Sequence, residues 1–271
     1  MGTQILVLPS SAEELSIGTH PTLSGLFSMN PALFTANQRQ PYLLLNRGNW
    51  LGDVSLSQIS YNQTIMNKVT HFGLKYSGLT DLEFRGDIPQ DDASANFSAY
   101  GLVLDAGLSI QNENHRFGFS VSYIHFGIYT EEANGLSADF GYALNMKNGY
   151  SFGMVLQNIG KMTKLDSRSP KLPSGFSAGV SKKIQFNEFT NTVFSSMEWN
   201  SVALVSKVYL GNKFSWNKLD LMAGYSTSKE ITESSIGIGF DFNRFHITYG
   251  TRIGSQDIGF PKIISLEILL P

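Results

Sequence analysis

Along most of this chain, large apolar residues alternate with glycine, serine and single charges. Leu136, Ala138, Phe140, Tyr142, Leu144 and Met146 are interleaved with Gly135, Ser137, Asp139, Gly141, Ala143 and Asn145. A second segment sets Tyr100, Leu102, Leu104, Ala106, Leu108 and Ile110 against Ala99, Gly101, Val103, Asp105, Gly107 and Ser109. Successive side chains of a β-strand point to opposite faces, so each such strand meets two different surroundings. Strands of globular proteins run about five or six residues, whereas a tilted strand crossing a bilayer needs roughly nine to eleven. The longer segments here reach the second figure.

The pattern predicts an all-β chain, a transmembrane antiparallel β-barrel of about fourteen strands. Strands are expected near 41–47, 52–62, 67–78, 97–110, 115–128, 133–146 and 149–159. More are expected near 174–184, 188–199, 202–212, 217–227, 233–242, 245–253 and 262–270. Lys147-Asn148-Gly149 and Asn243-Arg244 read as tight turns. The stretches Thr80 to Asn96 and Gly160 to Pro173 read as longer polar loops.

Residues 1–39 lack the alternation and are expected to pack on or in the barrel formed by 40–271 as a plug-like segment. A separate domain of that size is marginal by itself. Ser11 and Glu14 have capping-box spacing for a short helix. Asn30-Pro31 favours an extended or turn conformation, because proline disfavours helix in the residue before it.

Composition agrees with a greasy exterior and a polar lumen. Only 15% of the 271 residues are charged, while 26 are glycine and the formal net charge is −2. An ordinary soluble domain carries about a quarter charged residues. No apolar run reaches the roughly 18 residues of a helical membrane span. The charge balance offers no basic face for nucleic acid. With no cysteine, disulfides and thiolate metal sites are excluded. The start has no basic stretch followed by an apolar core, so the numbering is expected to begin near a mature N-terminus.

Candidate chemistry is sparse. The histidines His20, His71, His115, His125 and His246 show no short metal-site spacing. His115 and His125, ten residues apart on one predicted strand, stand roughly 33 Å from each other at strand rise. Glu83, Asp87, Asp91 and Asp92 form an acidic loop without ordered calcium-ligand spacing. Asp105, Asp139, Asp241 and Glu267 oppose the apolar stripes and are expected to face the lumen, available to cations such as Arg116. Trp50, Trp199 and Trp216, with Tyr61, Tyr76, Tyr123, Tyr142 and Tyr225, are expected in aromatic girdles. No catalytic set, cofactor motif or phosphate loop is recognisable.

Several phrases nevertheless occur in a suggestive order. They are Asn30-Pro31-Ala32-Leu33, then Gln157-Asn158-Ile159-Gly160, then Leu172-Pro173 and Gly179-Val180-Ser181-Lys182-Lys183. Gly237-Ile238-Gly239-Phe240 and Phe245 to Gly250 follow. The series resembles the PorV/PorQ family of outer-membrane barrels of the type IX secretion system, similar in architecture to fatty-acid transporter barrels. Two features depart from it: the chain is short for the PorV branch, and it ends Leu269-Leu270-Pro271 without a terminal aromatic.

The resemblance implies an outer-membrane, non-enzymatic component of protein secretion and cell-surface attachment. Its partners would be envelope proteins of that machinery or cargo C-terminal domains, bound through rim loops, with lipid around the wall. Asn30, Pro31, Ala32, Asn158, Gly160 and Pro173 are the matching positions, expected to be structural. The alternative is an outer-membrane transporter of hydrophobic small molecules. In that reading residues 1–39 act as a hatch, and Leu15, Ile17, Leu23 and Phe27 supply an apolar lining.

Overall fold

Closure of the sheet follows from the strand count and the two-faced pattern together. This computed structural model describes residues 2–36, 40–85, 95–202, 204, 206–255 and 259–271. The first seven strands are β1 (Tyr42–Asn49), β2 (Ser55–Ile65), β3 (Lys68–Phe84), β4 (Ala95–Asn112), β5 (His115–Ile128), β6 (Glu131–Asn145) and β7 (Tyr150–Met162). The second seven are β8 (Gly175–Phe186), β9 (Phe189–Asn200), β10 (Ser206–Trp216), β11 (Leu219–Thr227), β12 (Thr232–Phe242), β13 (Phe245–Gly254) and β14 (Lys262–Leu269). Each pairs antiparallel with its sequence neighbours, and β1 pairs with β14 to shut the cylinder.

All fourteen expected strands are present, and the outward stripe is the one read from the sequence. Phe140 is 51% exposed and Ile236 61%, with Phe72, Leu104 and Phe117 similarly bare. An apolar band of this extent around a closed wall is covered by acyl chains, not by water. The molecule is a membrane barrel.

Short turns gather on one rim. Asn187, Asn217 and Asn243 each take positive φ, which asparagine tolerates better than most residues, and each lets a strand reverse within two residues. Lys147-Asn148-Gly149 turns on the same rim, with Asn148 and Gly149 both at positive φ. Barrels of this class keep short turns on the periplasmic side.

Both predicted longer loops lie on the other rim, but they are shorter than expected. β3 continues to Phe84 and β4 begins at Ala95, because alternation and pairing persist beyond the apolar stretch. Gly160 sits inside β7, paired with Ser137, rather than opening the loop. A side chain there would overlap the Leu136 carbonyl, so glycine is what permits the strand to go on. Of the acidic stretch, Glu83 belongs to β3, while Asp87, Asp91 and Asp92 lie outside the described residues.

Trp50 is a further correction. It joins β1 to β2 but packs inward beside Leu8, Leu56 and Ile263, with the Arg252 guanidinium over its ring. Trp199 and Trp216 do face outward, 46% and 44% exposed.

Candidate functional site

The inward face is small and polar, and the N-terminal residues lie against it. Ser11 caps the helix α1 (Ala12–Ile17), its Oγ accepting from Glu14 N at 3.1 Å. The Glu14 carboxylate folds back onto Ser10 N at 2.8 Å, one residue earlier than a capping box requires. Its burial pushes the Glu14 carboxyl up from the ordinary value.

Contacts from this segment reach strands on all sides. Ala12 N donates to Ser265 Oγ on β14, and Ser235 Oγ on β12 donates to Ser16 O, both at 2.8 Å. Ser196 Oγ on β9 donates to Thr19 O, and Ser109 Oγ on β4 to Ala32 O, both at 2.7 Å. Apolar residues of the segment meet apolar wall positions: Ile5 with Val103 and Ile124, Leu15 with Leu56 and Ile263, Ile17 with Phe194 and Met222. Burial pushes the His20 imidazole down to about 4, while its Nε2 stays bonded to Ile17 O at 2.8 Å.

The six motif positions fall into two groups. Asn30 Oδ1 accepts from Ala32 N at 3.0 Å, and its Nδ2 donates to Pro21 O at 2.8 Å and Tyr142 O at 3.1 Å. Pro31 then opens a single 3-10 turn, Pro31–Leu33. This turn lies directly on glycines of the wall. A Cβ on Gly118 would overlap Ala32 N, and one on Gly141 would overlap Asn30 Oδ1. Asn158, Gly160 and Pro173 instead shape a bulge in β7. Asn158 has φ of 56°, its N donates to Asp139 Oδ1 at 2.6 Å, and its Nδ2 donates to Pro173 O at 3.1 Å.

The lumen carboxylates pair differently from expectation. Arg116 donates to Phe34 O at 3.2 Å rather than to a carboxylate. Asp139 is held by Ser120 and Asn158, and Asp241 by His246 Nδ1 at 2.7 Å. Lys213 joins Glu13 of α1 at 2.7 Å to Asp220 of β11 at 3.2 Å.

Sequence reasoning missed one buried cluster entirely. Asn62 on β2 lies directly opposite His71 on β3, and Asp105 on β4 sits diagonally, two residues from the position opposite His71. Asn62 Nδ2 donates to Leu26 O at 2.8 Å and Thr35 O at 2.7 Å, which turns its Oδ1 to His71 Nδ1 at 2.5 Å. Phe34 stacks on the imidazole at 4.2 Å between centroids. Alternation placed Asp105 on the inward face, but nothing in the spacing of the three marked them as partners. His115 and His125 point outward instead, at opposite ends of β5, bonded to Tyr142 and Asn134. Among the described residues, no group of three or more His, Asp or Glu side chains is placed to hold a metal ion.

Three cavities follow the barrel from rim to rim. The outer one, near the longer loops, has about 410 Å³ and is lined by Val7, Leu8, Pro9, Trp50, Tyr209 and Ile231 with four charged residues. A central pocket of about 80 Å³ lies between the segment and the wall, beside Glu14, Phe27, Lys75, Asp105 and Asp139. The inner one, of about 350 Å³ at the short-turn rim, is lined by Glu13, Lys213, Asp220, His246 and Glu267. Leu15 and Ile17, expected as lining, are fully buried against the wall; Phe27 does reach the central pocket.

No family model and no curated protein matches the chain. Solved structures match its fold. The TodX deltaS2S3 mutant, a monoaromatic hydrocarbon channel, superposes with a TM-score of 0.70 at 12% identity, covering 96% of this chain and 99% of that one. The CymD monoaromatic hydrocarbon channel gives 0.66 at 12% identity, covering 97% of each chain. The Pseudomonas putida toluene transporter TodX gives 0.60 at 12% identity, covering 95% and 96%. The chain shares the fold of these barrels and is an outer-membrane β-barrel. These three structures give no specific support for the PorV/PorQ family.

Proposed function

We propose that this chain is an outer-membrane channel for hydrophobic small molecules, with the N-terminal segment as the hatch that divides its lumen. The observation carrying this reading is the outer cavity. Its apolar lining comes from Val7, Leu8 and Pro9 of the segment itself together with Trp50 and Ile231. A concave site with an apolar lining and a few placed polar groups is what a small hydrophobic ligand needs. The similar barrels, a monoaromatic hydrocarbon channel and a toluene transporter, support the same class.

The small inward residues at first argue against such a role, since glycine and serine make a poor apolar lining. The contacts explain them differently: they leave room for the segment, which brings its own apolar groups.

The test needs an intact outer membrane, because apolar molecules cross a simple phospholipid bilayer unaided. Cells expressing the chain are expected to take up a radiolabelled monoaromatic hydrocarbon several-fold faster than cells without it, and Trp50→Ala to lower that rate. Equal uptake in both, with large envelope proteins co-purifying, would replace this reading with the protein-binding one.

A further inference from the structure

Two cations and two carboxylates line the outer cavity, and their charges cancel. Glu233 on β12 is in ion-pair contact with Lys207 Nζ on β10. It also accepts from Ser226 Oγ at 2.9 Å and lies 3.5 Å from Arg252 Nη1 on β13. Glu198 on β9 accepts from Tyr209 Oη at 2.8 Å. These groups are largely withdrawn from solvent, the Arg252 side chain being 8% exposed and that of Glu233 14%. Apolar lining comes from Val7, Leu8, Ile231 and Trp50, whose ring lies beneath the Arg252 guanidinium.

We infer that Glu233 makes this cavity selective for uncharged molecules by holding both of its cations. The inference rests on the channel reading and names its substrate class. An anion entering here must displace Glu233 from Lys207 and Arg252 while facing two carboxylates. Opening a poorly solvated ion pair is costly, and the repulsion adds to it. A cation finds Glu233 already paired and is repelled by Lys207 and Arg252. A neutral, flat, apolar molecule need break none of these pairs and gains contact with the apolar lining of Val7, Leu8, Trp50 and Ile231.

Glu233→Gln keeps a hydrogen-bonding side chain beside Ser226 and leaves the cavity with one net positive charge. It should therefore admit an anion that the native cavity rejects.

The experiment uses the full chain with Trp199→Phe and Trp216→Phe, so that Trp50 is the only indole reporting. Benzamide and benzoate, nearly equal in shape and different in charge, are titrated at neutral pH. Benzamide is expected to shift the Trp50 emission at a half-saturating concentration about tenfold or more below that of benzoate. Glu233→Gln should bring benzoate to within about threefold of benzamide. Adding Lys207→Met should abolish that gain, which separates a charge effect from a packing change. Equal responses to the two probes before mutation overturn the inference while leaving the channel reading in place. So does a Glu233→Gln barrel that still responds to benzamide without gaining benzoate. If neither probe moves Trp50 in a folded barrel, the channel reading and the selectivity fall together.

Discussion

His71 Nε2 stands 2.7 Å from Asp105 Oδ2, with both side chains almost fully withdrawn from solvent. The other ring nitrogen faces Asn62 Oδ1, whose amide is fixed by two carbonyls of the N-terminal segment. This pair therefore ties wall strands β2, β3 and β4 to the residues around Leu26 and Thr35. Removing the imidazole leaves the buried Asp105 carboxylate without this partner, at about 1–3 kcal/mol. His71→Leu is expected to cost that order of stability, read as a fall in the urea midpoint of unfolding in detergent. His71→Leu combined with Asp105→Asn should recover part of it.

Gly118 and Gly141 predict a different kind of failure. The chain atoms above them are backbone and a bonded amide, so they cannot yield as a flexible side-chain tip does. Gly141→Val should leave the barrel folded, as judged by its heat-dependent gel mobility. It should also push the Asn30-Pro31-Ala32 turn off the wall. Limited proteolysis of residues 2–36 would then become faster.

Asn30→Ala tests the same contact from the segment's side. It removes one bond to Ala32 N and leaves Pro21 O and Tyr142 O without their donor. At about 1–3 kcal/mol for each buried group left unsatisfied, the two carbonyls alone should cost about 2–6 kcal/mol in holding the segment. Faster proteolysis with little change in barrel unfolding is the expected pair of results.

His20 gives the pH dependence. Its folded value is lowered to about 4 by burial, against about 6.5 when the segment is free. The free state thus binds more protons between these limits, and the docked state weakens as pH falls. Stabilisation is complete above about pH 6.5 and is lost progressively down to about 4, to a total of about 3 kcal/mol. His20→Gln should flatten this part of the proteolysis-versus-pH curve; an unchanged curve would count against the assignment.

The wall was legible because its rule is local. Each residue's side follows from parity, so Leu136 to Met146 could be sorted outward and Gly141 inward without any distant partner. The strand ends at Phe84 and Met162 were less legible, since the apolar signal fades there while pairing continues. Candidate-site geometry was mostly hidden. Glu233, Lys207 and Arg252 lie on three strands, and only the register brings them together. The glycines facing Asn30 were visible as small inward residues, but what filled the space above them was not. Trp50 misled for a related reason: a tryptophan at a strand end reads as a girdle residue, and only the tertiary contact with Arg252 turns it inward.

A wall pared to glycine and serine has no means of refilling itself. Were residues 2–36 drawn out, inward positions such as Gly118, Gly141, Ser196 and Ser235 would offer nothing long enough to meet across the bore. The ladder from β1 round to β14 would still hold its circumference. The vacated tube would fill with electrolyte and carry current.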